Sequence, residues 1–165
     1  MNWEALGATG ESIAAIGVIF SLVYLARQVR SQSLENRLAS RNSMANELNL
    51  VYGDISADAE LSAIFLKGIN DWDSLDPVEK VRLSFLINRF FRIFEIMFEQ
   101  HRRRRLDDSF WDGVEAGLNE FCRYPGVRHW WGTREELFSK EMQALVAPKV
   151  ATPDSPRLHE FQTPG

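Results

Sequence analysis

Arg92, Glu95 and Glu99 are the residues whose types and spacing best suit chemistry. With Asn88 they recur at intervals of 4, 3 and 4, which places all four on one stripe of a helix. The flanking positions are apolar. The stripe therefore reads either as a solvated strip with an Arg92–Glu95 ion pair, or as a charged site with acids perturbed by greasy walls. An enzyme reading would centre on this stripe and His101. The metal schemes fail on spacing. A di-iron bundle needs Glu-x-x-His on facing helices, whereas Glu99-Gln100-His101 sets its ligands two residues apart, pointing away from each other. His101, His129 and His159 show no metal-ligand spacing. The single cysteine, Cys122, excludes an internal disulfide framework and a Cys-based zinc site. There is no G-x-S-x-G elbow, phosphate loop or dinucleotide glycine signature. Cys122 and His129 would make a nucleophile pair only if the fold brought them together. No catalytic residue, metal or cofactor is assigned, and the expected role is non-enzymatic.

The element that sets the context is N-terminal. Ala5 to Ala26 reads ALGATGESIAAIGVIFSLVYLA, with Glu11 its only charge. As a helix it would extend roughly 33 Å at about 1.5 Å per residue, close to the thickness of a bilayer's hydrocarbon. Trp3 and Tyr24 fall near its ends, where interfacial aromatics belong, and Arg27 and Arg30 follow at once. The positive-inside rule then predicts an outer N-terminus and an inner C-terminal domain. The acidic opening MNWEALGATGE does not suit a cleavable signal peptide. Gly10, Ala14, Gly17 and Ser21, spaced 4, 3 and 4, form a stripe of small residues suited to close helix packing in lipid. Glu11 lies beside that stripe. It reads as an acid at headgroup level, or as one bonded between helices of an oligomer. The uncharged run proper, Ser12 to Ala26, also fits a helix buried in a soluble core.

Here the pattern resembles a known family. W-E-x-L-G-A-x-G-E at Trp3 to Glu11, then an apolar run, then S-L-V-Y-L-A-x-Q-V-R at Ser21 to Arg30, is similar to the start of a family of short bacterial proteins. Asp76 to Glu79, Phe94 to His101, the L-D-D at Leu106 and P-G-x-R-x-W-W at Pro125 to Trp131 fit as well. The resemblance covers roughly residues 3–147. It implies a single-pass membrane protein of unknown function and carries no active site with it. Thr9 and Ser12 depart from it by standing where more apolar residues are usual.

The remaining chain reads as all-α. Residues 28–53 lack proline and carry a loose helical pattern, so a stalk is expected to continue from an anchor at 1–27 and end near Gly53. A short helix over Ser56 to Lys67 is expected to stop at Gly68. Asp76-Pro77-Val78-Glu79 opens a central helix over 77–104 by capping and first-turn chemistry. Leu83, Leu86, Ile87, Phe90, Phe94, Met97 and Phe98 form its broad face, extended by Phe85, Phe91, Ile93 and Ile96. A fourth helix, capped by Asp108 or Ser109 and carrying Phe110, Trp111, Val114, Leu118 and Phe121 on one side, is broken at Pro125-Gly126. A fifth follows over Val127 to Phe138 and a sixth over Ser139 to Val146. The Trp130–Trp131 pair completes a core or anchors at an interface. Residues 54–147 are the expected cytoplasmic domain, and 148–165, rich in proline, a flexible tail.

Composition agrees with one folded domain plus an anchor. The 165 residues are 45% hydrophobic and 25% charged, with net charge -4, which argues against a nucleic-acid partner. Arg102, Arg103, Arg104 and Arg105 stand out. They either complement a helix C-terminus, neutralised by Asp107 and Asp108, or contact lipid headgroups or a partner. The expected protein is thus a single-pass membrane protein acting as a homo-oligomer or as an accessory subunit of a membrane complex. Its partners are lipids and membrane proteins. The competing expectations are a peripheral or soluble helical module, an enzyme built on the charged stripe, and a channel ringed by N-terminal helices.

Overall fold

A computed structural model describes the backbone of residues 3–151, and the side chains of residues 21–32, 35, 39 and 41–151. Among the described residues every regular element is helical: α1 Trp3–Ala57, α2 Ala59–Asn70, α3 Pro77–Arg102, α4 Asp108–Arg123, α5 Pro125–Gly132 and α6 Lys140–Val150. Short 3-10 turns occupy Trp72–Ser74 and Glu135–Leu137. The chain divides into two compact units, Met1–Ser40 and Arg41–Gly165.

In the first unit, Ser21 to Gln32 are exposed without interruption. They include Leu22, Val23, Tyr24, Leu25 and Val29, large apolar side chains left in the open. Among the described residues no helix is long and apolar enough to cross a membrane.

The second unit has a single core. The first proline of the chain is Pro77, so nothing in the backbone chemistry stops α1 early. The expected stop at Gly53 does not occur. Val51 is fully buried and Ile55 packs against the core, which carries α1 through the glycine. The break comes at Asp58, whose extended backbone and carboxylate cap α2 by accepting from the Glu60 and Leu61 N–H groups at 2.9 and 3.1 Å. Residues 41–53, expected as the end of a stalk, therefore fall in the same unit as the core, with Met44 also buried.

Gly68 is likewise not a stop. It is buried inside α2, where a Cβ would collide with the Leu83 and Leu75 side chains. A Cβ on Gly126 would in turn fall onto the Gly68 carbonyl oxygen, with Ile69 Cα only 3.0 Å away. Two glycines thus let the α2 and α5 backbones touch.

The opening of α3 follows the expected chemistry. Asp76 accepts from the Val78 and Glu79 N–H groups, and the Glu79 carboxylate accepts from the Asp76 N–H at 2.8 Å, a reciprocal cap. The hydrogen bond from the Lys67 ammonium and that from the Asp76 N–H hold Glu79 below the usual carboxylate value. The far end closes at Arg102. There Arg104 takes a left-handed conformation (φ 56°) and the Arg105 N–H donates back to the Gln100 carbonyl.

The core face of α3 is Leu83, Leu86, Ile87, Phe90, Phe91, Ile93, Phe94 and Met97. Phe91 is its hub, with ring centroids 4.5 Å from Trp131, 5.6 Å from Phe121, 5.7 Å from Trp130 and 5.8 Å from Phe138. Trp130 and Trp131 are both buried, so the pair completes the core. Phe85 and Ile96, expected to extend the greasy surface, face out instead.

In α4, Trp111, Val114, Leu118 and Phe121 are buried at spacings of 3, 4 and 3, as expected for one apolar face. Its cap is Asp107. Pro125 does not merely break α4; it occupies the first turn of α5, where its missing N–H costs nothing. The fifth helix ends at Gly132, six residues before the expected end, and a 3-10 turn covers the difference. The sixth runs on to Val150, with Met142 and Val146 buried, so the first residues of the expected tail are helical. The rest of the tail, 152–165, lies outside the described residues.

Cys122 sits in this core. Burial pushes its thiol up to about 12, which removes the thiolate a nucleophile requires. The folded chain is expected not to react with a thiol reagent at pH 8, and labelling should follow global unfolding. Rapid labelling of the native protein would contradict this placement.

Candidate functional site

The charged stripe is a clasp. Arg92 donates to Glu95 at 2.8 Å and to the Leu137 carbonyl at 2.7 Å, while its guanidinium lies 4.5 Å from the Phe138 ring centroid. Glu95 also accepts from the Ser139 backbone N–H at 2.8 Å. Both oxygens of Glu95 are therefore engaged in fixing the turn that enters α6. Burial opposes its ionisation, yet the Ser139 hydrogen bonds and the Arg92 guanidinium outweigh it and hold the carboxyl below its usual value. A carboxyl lowered by folding stabilises above its unfolded pKa, and that contribution is lost as the pH falls through the folded value. Glu95→Gln should cost about 1 kcal/mol at neutral pH. The gap to wild type should close in acid, as read by melting temperature against pH. A pH-independent gap would show that the charge is irrelevant.

Glu99 does not join the pair. It accepts from Arg103 at 2.6 Å and meets Arg102 at 3.5 Å, and Arg102 also reaches Glu141 at 3.4 Å. Arg102 and Arg103, two of the four clustered arginines, are thus paired from α3 and α6. The expected partners, Asp107 and Asp108, are used elsewhere. Asp107 caps α4 and meets Arg41 at 3.1 Å, while Asp108 lies 3.9 Å from His101. Among the described residues no acid pairs with Arg104 or Arg105, both exposed.

Of the N-terminal residues singled out from the sequence, Ser21, Tyr24, Arg27 and Arg30 are exposed. The side chains of Trp3, Gly10, Glu11, Ala14 and Gly17 lie outside the described residues. Among the described residues no group of His, Cys, Asp or Glu is gathered so as to hold a metal ion.

One concavity among the described residues was not anticipated. A groove of about 730 Å³ runs between the outer face of α3 and α5, with Trp72 and Leu137 of the two 3-10 turns also lining it. The α3 wall has two ladders at i, i+4 spacing, polar Lys80, Ser84 and Asn88 beside apolar Val81 and Phe85. Trp72, His129, Trp130, Thr133, Arg134 and Leu137 complete the lining. The Trp130 indole N–H donates to Ser84 Oγ at 2.8 Å, fixing that ring. The Trp72 and His129 rings stack at 5.8 Å. Arg134 donates to Thr133 Oγ1 at 2.7 Å, with its guanidinium 5.5 Å from the Trp130 centroid. Asn88 Oδ1 is buried without a hydrogen-bond partner. In the sequence only Phe85 was singled out, as part of a greasy surface, because most of the opposite wall comes from residues some fifty positions later.

No family model, curated protein or solved structure matches the chain.

Proposed function

We propose that the protein is a single-pass bacterial inner-membrane protein whose helical unit faces the cytoplasm, with a non-enzymatic role as a homo-oligomer or as an accessory subunit of a membrane complex. One observation carries this reading. Ala5 to Ala26 holds a single charge and is followed at once by Arg27 and Arg30, and the described end of that stretch displays Leu22, Val23, Tyr24 and Leu25 in the open. Exposed apolar area costs roughly 25 cal/mol per Å² in water. A row of such side chains on one helix therefore calls for lipid or protein cover. The likeness of Trp3–Glu11 and Pro125–Trp131 to short bacterial membrane proteins supports the same reading. The charged stripe adds nothing catalytic, since Arg92 and Glu95 spend their contacts on the 137–139 turn.

Assembly through the small-residue stripe is testable. In mild detergent the native particle should exceed the mass of one chain, or carry a co-purifying protein. Replacing Gly10, Ala14 and Gly17 together by leucine should break it down, because bulky side chains keep membrane helices apart. A lone monomer for wild type, or an assembly indifferent to the triple substitution, would refute this role for the stripe.

A further inference from the structure

The α3–α5 groove lies wholly within residues 72–137, so what it binds is independent of how the N-terminal segment is held. Its volume falls in the roughly 300–1,000 Å³ range of small-molecule sites. Its lining includes flat aromatic surfaces: the Trp72–His129 stack, the fixed Trp130 indole and Phe85. Phe85 is 72% exposed and Val81 55%, large for residues with no role in the core. The charge pattern gives the sign of the occupant. The chain as a whole is acidic, with net charge -4, yet no Asp or Glu lines the groove, whereas Lys80 and Arg134 do. Elsewhere in this unit most cations are spoken for. Arg41, Lys67, Arg82, Arg89, Arg92, Arg102, Arg103 and Lys149 each meet a carboxylate within 3.5 Å. Among the described residues no acid pairs with Lys80 or Arg134. Arg134 is held over an aromatic face by Thr133, with most of its guanidinium donors unspent.

We propose that this groove binds a small amphiphilic carboxylate: a flat apolar body lying against Phe85, Trp72 and Trp130, with its acid group between Lys80 and Arg134. A guanidinium suits a carboxylate because its forked donors match the two oxygens.

Titration of the full chain in lipid nanodiscs with 2-naphthoate tests this, with empty nanodiscs as the blank and tryptophan fluorescence as the signal. The uncharged analogue 2-naphthalenemethanol gives the comparison. Saturable quenching is expected, with the acid binding at least about tenfold more tightly than the alcohol, the discrimination of one good charged contact. Reversing both cations, Lys80→Glu with Arg134→Glu, should erase or invert that preference while the helical circular dichroism is kept. Phe85→Ser, a change at an exposed position, should weaken both compounds by a similar factor. Absence of saturation at millimolar concentration, equal affinity for acid and alcohol, or a preference untouched by the charge reversal would overturn the proposal. A particle mass that falls on Phe85→Ser would also overturn it, by assigning the groove to a second copy of the chain.

Discussion

Gly126→Ala is expected to lower the melting temperature of the helical unit by more than about 10 °C, from a loss of about 3 kcal/mol. Alanine is ordinarily the better helix former, by up to about 1 kcal/mol, so propensity predicts the opposite sign. Sterics decide here. The new methyl would land on the Gly68 carbonyl oxygen and lie 3.0 Å from Ile69 Cα. Both are backbone atoms of α2, and no rotamer can move them aside. The whole α2–α5 crossing must open, which also loosens Val127, Trp130 and Trp131, all buried from the same short helix. Gly113→Ala in α4 is the matched control. Nothing lies within 4 Å of a Cβ there, so propensity alone applies and the change should be neutral or stabilising. Equal tolerance of both substitutions would mean that the two backbones are not in contact.

Phe91→Ala is the other large effect, at about 3–5 kcal/mol. The ring is fully buried and touches four aromatic partners drawn from α4, α5 and Phe138 at the end of the second 3-10 turn. Removing it leaves a void bounded by stiff rings that cannot collapse into the space, so the cavity cost adds to the lost transfer energy. A domain of this size holds only about 5–15 kcal/mol in total, so the variant should be near unfolding at ambient temperature. Phe91→Leu keeps most of the volume and should cost less than half as much, read from the midpoint of urea unfolding. A loss below about 1 kcal/mol for Phe91→Ala would show that the four rings are not organised around it.

How far the fold was legible depended on whether the signal was local. The Asp76-Pro77-Val78-Glu79 cap, the apolar spacing of Trp111 to Phe121 and the all-helical class follow from short-range chemistry, and each stands in the structure. Glycine was the main source of error. Gly53 and Gly68 look alike in sequence, and both suggest a helix end. In fact one is carried through by the burial of Val51, and the other exists to let two helices meet. Phe91 and Phe85 were equally apolar neighbours on α3; only tertiary packing makes one the hub and leaves the other facing solvent. The Arg92–Glu95 pair was readable from its spacing, but its task was not, because Leu137 and Ser139 are more than forty residues away. The groove was hidden for the same reason: its cations, Lys80 and Arg134, come to line one groove only once α5 packs on α3.

The anchoring of the chain is tested most directly by washing cell membranes with alkaline carbonate and measuring how the protein divides between pellet and supernatant. The full chain should stay with the bilayer, and a variant lacking residues 1–26 should leave it. Release of the full chain into the supernatant would contradict the membrane-spanning assignment and, with it, the assembly role proposed for the small-residue stripe.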